Sequence, residues 1–172
     1  LLEENQIVLK EDVLNTNEAT EISQFDYMEV SYLPIYAQAG YLNHFNQNML
    51  IEDNLPTILV PKEFDKGNYL VIEVNGDSMD DGTTKAICEG DRLLIKELNK
   101  SLWNNKLNFN RYLFVIVHKS GLIVKQVTSH NVDKGKITCH SFNNIYEDFE
   151  LSLSSVFQLF YVKKIIERKI TF

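Results

Sequence analysis

Gly76-Asp77-Ser78-Met79 places a serine in a short turn after the apolar stretch Tyr69–Val74. A serine hydroxyl is a poor nucleophile at neutral pH. Ser78 can do acyl chemistry only with a base to take its proton and donors to hold the developing oxyanion. Four histidines are available, His44, His118, His130 and His140. None has the context of a Ser-His-carboxylate triad, and they read as satisfied or partly exposed side chains. A lysine is the other candidate base, because an amine buried among apolar groups loses its charge and can accept a proton. Lys62, Lys66, Lys85, Lys100, Lys106 and Lys134 fall in polar loops, whereas Lys125 follows Leu122-Ile123-Val124 and precedes Gln126-Val127. A lysine inside a strand ordinarily faces solvent, so that reading stands beside the catalytic one.

The elements that would have to carry Ser78 and Lys125 are strands. Tyr69–Val74, Asp91–Leu98, Tyr112–Lys119, Leu122–Thr128, Lys136–Ser141, Leu151–Leu153 and Val156–Ile166 are short, rich in β-branched and aromatic residues, and separated by Gly and Asn turns. Pro56–Pro61 is a further strand, and Ser120-Gly121 closes the clearest hairpin. The pattern predicts a mainly β, mostly antiparallel fold rather than a doubly wound one. Upstream, residues 1–30 read as a polar, acidic linker or arm, Val30–Tyr36 as an extended segment, and Tyr41–Asn48 as a short helix. Residues 31–55 form a separate region before the main domain at 56–172. Asn104–Asn110 reads as a surface loop.

The chain has 172 residues, 44% of them hydrophobic, which is enough for a real core. Its net charge of −7 argues against a grip on nucleic acid by these residues themselves, since phosphate contacts need clustered Lys and Arg. No apolar run approaches the roughly 18 residues of a membrane span, and no secretory signal is visible. Cys88 and Cys139 lie in no CxxC pair, so a reducing cytoplasm is the simplest setting and no disulfide framework is expected. No cofactor or metal is called for. The sequence begins Leu-Leu-Glu-Glu, which reads as a fragment or a processed form.

Three pieces in order carry a resemblance: Gly76-Asp77-Ser78-Met79, the turn Gly90-Asp91-Arg92-Leu93 that opens a strand, and Val124-Lys125-Gln126 in an apolar strand. Together they resemble the S24-type Ser-Lys autopeptidases, which include LexA, phage repressors of the CI type and the UmuD mutagenesis proteins. The resemblance covers about residues 33–165 and implies the LexA/signal-peptidase-like β fold. It implies Ser78 as nucleophile, Lys125 as base, and the Ser78 N–H as oxyanion donor, with Met79 and Asp77 supporting the cleft. Met79 reads equally as core packing. The family cuts its own chain at a small-residue bond upstream of the serine, and Ala39-Gly40 is such a bond here. Small flanks let a carbonyl come within about 3–3.5 Å of the hydroxyl. Outside that context, Ala37-Gln38-Ala39-Gly40 is a small-residue turn.

The implied function is that of a self-cleaving transcriptional repressor of the SOS type, acting as a homodimer on its own cleavage segment, with a RecA filament as co-protease. It would contact DNA only through a helix-turn-helix domain not among these residues, and no membrane. A UmuD-like self-processing protein and a non-cleaving dimerisation module are the alternatives. The apolar strand Val156–Ile166 is a candidate for part of the dimer interface and equally for an ordinary core strand. The helix-turn-helix not among these residues is one departure from the family pattern, and two others stand out. Asp80–Lys85 replaces the usual Glu-Pro-Thr-like segment, and Asn99–Asn110 lengthens the path to Lys125. An insertion between strands is tolerated at little entropic cost.

Overall fold

The strand-forming runs fold as their composition predicts. In the computed structural model, which describes residues 26–47 and 55–170, the elements are β1 (Tyr27–Leu33), α1 (Ile35–Gln47), β2 (Thr57–Pro61), β3 (Tyr69–Glu73), β4 (Arg92–Glu97), β5 (Phe114–His118), β6 (Gly121–Asn131), β7 (Lys136–His140), β8 (Phe149–Ser152) and β9 (Val156–Glu167). They join in the order β2-β1-β3-β4-β9-β5-β6-β7-β8. The β1–β3 pair is parallel and the other pairings are antiparallel. The mainly β, mostly antiparallel expectation therefore holds.

Successive residues of a strand point to opposite faces, and β5 shows what that means here. Val115 and Val117 enter one apolar cluster with Ile72, Met79 and Leu93. Phe114 and Ile116 enter another with Val127, Ile137 and Cys139. The central strands are thus covered on both faces, which is why they read as continuous apolar runs rather than as an alternation.

β6 changes partners along its length. Residues up to Lys125 pair with β5, Lys125 lying opposite Phe114. From Gln126 onward the strand pairs with β7, beginning opposite His140. Lys125 therefore sits where the strand passes from one neighbour to the other.

Four expectations need correction or refinement. The arm does not extend to residue 30, because Tyr27–Ser31 already pair with Thr57–Pro61 in β1 and β2; residues 1–25 lie outside the described residues. The extended segment does not run through Tyr36. Pro34 has no N–H to give a sheet, and its carbonyl accepts from Ala37 at 3.0 Å as α1 begins. The helix thus starts at Ile35 rather than Tyr41 and contains Ala39-Gly40. Its apolar face, Ala37, Tyr41, Leu42 and Phe45, has helical spacing. Asn48, expected at its end, lies outside the described residues.

The Asn-rich loop is anchored rather than purely superficial. Leu107 is buried within it, next to Trp103 of the preceding turn, and both enter the cluster with Phe114. Trp103 Nε1–H donates to the Leu98 carbonyl at 3.0 Å in a buried setting. Trp103→Phe keeps the ring but leaves that carbonyl without its donor. It should cost about 1–2 kcal/mol, read as a lower urea midpoint at unchanged slope.

Finally, β9 is the middle strand of the sheet. Both its edges are taken, by β4 and by β5, which fits the core-strand reading of Val156–Ile166.

Candidate active site

Ser78 lies in a tight turn whose shape the local sequence sets. Gly76 has φ +88°, a left-handed conformation that glycine adopts at no steric cost. The Asp80 N–H then closes the turn on the Asp77 carbonyl at 3.0 Å. Met79 points inward and is 1% exposed, wedged in the apolar cluster with Ile72 and Leu93. Its carbonyl accepts the Ile87 N–H at 2.9 Å, and the Ser78 carbonyl accepts the Asn143 N–H at 3.1 Å. Asp77 faces outward, and its carboxylate accepts the Tyr146 hydroxyl at 2.5 Å.

The Gly90-Asp91 turn supports this arrangement from below. Gly90 has φ +82°, and its N–H donates to the Val74 carbonyl while the Val74 N–H donates to Asp91 O. The Asp91 side chain is 1% exposed. It accepts from the Cys88 N–H at 2.8 Å, from Arg168 Nε at 2.8 Å and from Arg168 Nη2 at 2.5 Å. The same guanidinium donates to the Ala86 carbonyl at 2.8 Å. Residues 86–91 are thereby fixed, and through Ile87 so is the turn that carries Ser78.

Lys125 comes from 47 residues away and meets Ser78 directly: its Nζ donates to Ser78 Oγ at 2.5 Å. The residue is 6% exposed. Burial disfavours the ammonium form and holds the amine below the usual lysine range. Burial also pushes the Cys139 thiol up to about 11, so it remains protonated at neutral pH. The solvent-facing reading of Lys125 is overturned. Seated where β6 leaves β5 for β7, the side chain turns into the fold.

The histidines keep other company. His118 Nδ1 accepts from Ser120 N–H at 3.3 Å, His130 Nδ1 accepts from Leu107 N–H at 3.2 Å, and His140 lies 2.7 Å from Asp148. His44 rides on α1 against Phe45. A serine hydroxyl bonded to a buried amine with a lowered proton affinity is an arrangement able to generate an alkoxide-like nucleophile for acyl transfer.

Residues 33–160 match the family described as Peptidase S24-like. The chain belongs to the S24-like peptidase family. That membership assigns it a serine-peptidase chemistry in broad class. The sequence matches no curated protein closely enough to be named as a relative. No helix among the described residues is long and apolar enough to cross a membrane, and among them no cluster of His, Cys, Asp or Glu could hold a metal ion.

The other predicted site residues are placed less simply. Ala39 and Gly40 are both exposed and lie inside α1 of this S24-like domain, not in an extended segment over Ser78. The helix is fastened on its other side, where Gln38 donates to the Glu73 carbonyl at 2.7 Å and Tyr41 to Gln158 at 2.5 Å. The Asp80–Lys85 segment folds on itself, Asp80 accepting from Gly82 N–H and Asp81 from Thr83.

Sequence reasoning missed Cys139, Asn143, Tyr146 and Arg168. Asn143 and Tyr146 reach the Ser78 turn across 66 and 69 residues, and no local period marks them. In the sequence Cys139 stood out only as a cysteine outside any CxxC pair.

Proposed function

We propose that this chain is the self-cleaving peptidase part of a LexA-like or phage-type repressor, with Ser78 as nucleophile, Lys125 as general base and Ala39–Gly40 as the bond cut. The contact that carries this reading is the hydrogen bond between Lys125 Nζ and Ser78 Oγ, made by a buried amine. Neutral Lys125 takes the hydroxyl proton as Ser78 Oγ bonds to the Ala39 carbonyl carbon. The tetrahedral oxyanion would be held by the Ser78 N–H. Collapse breaks the Ala39–Gly40 C–N bond, and the lysine returns the proton to the leaving amine of Gly40. Water, deprotonated by the same lysine, then attacks the Ala39 ester, releasing a carboxylate and restoring the serine.

A helical carbonyl is tied to the N–H one turn on, so the bond must leave α1 before Ser78 can attack it. On this reading the helix would store the bond uncut. Cutting would separate a DNA-binding part from the dimerising part. A homodimer suits a two-fold operator, with β9 contributing through exposed face residues such as Ile165 because its edges are filled. A RecA filament would act by favouring the unwound segment.

The test is to incubate the chain at about pH 10, near the ordinary lysine range, and weigh the fragments. A single cut after Ala39, absent from Ser78→Ala, is the expected result. A cut elsewhere, or the same cut in Ser78→Ala, overturns the assignment.

Unwinding predicts a further effect at Asn43, which is exposed on α1 and stands one helical turn on from Ala39. Asn43→Ala, the better helix former, should slow cleavage roughly twofold, and Asn43→Gly should speed it by about as much. Rates that ignore both changes would mean that α1 need not open.

A further inference from the structure

The segment after β7 touches the Ser78 turn at three points. Asn143 N–H donates to the Ser78 carbonyl at 3.1 Å, Asn143 Nδ2 to the Asp77 carbonyl at 3.3 Å, and the Tyr146 hydroxyl to Asp77 Oδ1 at 2.5 Å. The segment also closes on itself. The Ile145 N–H donates to Asn143 Oδ1 at 3.2 Å and the Tyr146 N–H to the Asn143 carbonyl at 3.1 Å. Tyr146 is therefore held at both its backbone and its hydroxyl. Its ring centroid lies 6.0 Å from Lys125 Nζ. The tyrosine is 44% exposed while the lysine is 6% exposed, so a half-exposed ring lies beside a buried amine.

We propose that Tyr146 is a positioning residue for the Ser78–Lys125 pair, tethered by Asp77 so that its ring keeps water from the amine. The inference rests on the reading of that pair as catalytic. The other titratable groups around the amine are the Cys139 thiol on β7 and the Asp77 carboxylate beyond the ring; Asp148, held by His140, acts on Cys139. On β5 the residue opposite Lys125 is Phe114, which carries no charge.

Two effects of the ring oppose each other. An aromatic face attracts an ammonium, but 6.0 Å is the outer limit of that attraction. Exclusion of water works the other way and acts on an almost fully buried amine, so it dominates. Asp77 raises the proton affinity of the phenol. That favours the protonated hydroxyl as donor to the carboxylate.

The test uses the full chain. Removing the ring in Tyr146→Ala should move the alkaline midpoint of the cleavage profile upward by about one pH unit. That is roughly a tenfold slower rate on the rising limb and a smaller loss at the plateau. Tyr146→Phe, which keeps the ring and loses the tether, should move it less, and Asp77→Ala should match Tyr146→Phe. The double variant Tyr146→Phe/Asp77→Ala should move it no further than either single change, since both cut one tether.

In a Ser78→Ala background, which does not cleave, the 13Cε resonance of Lys125 should titrate upward in the same order. A merely structural role would slow cleavage at every pH and leave midpoint and resonance where they are. That outcome, or additivity in the double variant, overturns the proposal. If the parent chain fails to cleave at any pH, the catalytic reading of the pair falls instead, and the lysine resonance still decides what Tyr146 does to it.

Discussion

Lys125→Met should stop self-cleavage and yet melt at a higher temperature than the parent. The first half follows from the chemistry. Without the amine, Ser78 Oγ has no hydrogen-bonded base among the described residues, and loss of a general base costs about 10²–10⁴-fold. The second half follows from burial. In the unfolded chain a lysine keeps its proton to about pH 10, whereas in the fold burial makes Lys125 give it up at lower pH. Between those two pH values the unfolded chain binds more protons, so stability rises with pH. Below the folded value the buried ammonium exerts its full penalty.

Methionine has similar length, no charge and a flexible apolar stem, and it removes that penalty. Its advantage should be largest at neutral and acidic pH and shrink as the medium becomes alkaline, because the parent amine is then neutral in both states. Thermal melts at several pH values, set beside fragment analysis, read both halves together. A variant that still cuts after Ala39 would remove the lysine from the mechanism. One that melts lower at neutral pH would show the amine to be a stabilising group.

Arg168→Ala should cost about 3 kcal/mol, the lower end of what breaking a buried pair exacts. The guanidinium is partly exposed, but Asp91 is not, and both of its carboxylate oxygens lose a donor. What remains is a buried carboxylate holding only the Cys88 N–H. Urea unfolding should show the lower midpoint. The damage should reach the chemistry as well, because residues 86–91 brace the Ser78 turn through Ile87 and Met79. Arg168→Lys keeps the charge but not the fork-shaped donor pair, and should recover only part of both losses. Full stability in Arg168→Ala would mean that the carboxylate finds another partner and that the brace lies elsewhere.

What was legible in the sequence was what neighbours along the chain enforce. Tyr69–Glu73, Arg92–Glu97 and the hairpin at Ser120-Gly121 announce themselves because β-branched runs broken by Gly turns have few other ways to fold. Ser78 and Lys125 were legible as a pair only through the order of three short motifs. Neither residue alone reveals its burial, and a strand lysine ordinarily points the other way. The helical setting of Ala39-Gly40 was hidden by a run of alternating residues that Pro34 interrupts. Asn143, Tyr146 and Arg168 were silent because their partners are distant in sequence, Arg168 lying 77 residues from Asp91. Trp103 and Leu107 were masked by the Asn-rich stretch around Leu107, where two apolar anchors suffice to dock a polar loop.

The handover in β6 makes competence a question of parity. Neighbouring positions along a strand look to opposite sides, so one extra residue taken up inside Gly121–Val124 would turn the amine away from Ser78, to the side where Val124 packs with Val115 and Met79. Such a chain could keep most of its strand pairing and still be chemically mute. The seam between β5 and β7 is thus the place where this protein can be disarmed with the least visible trace.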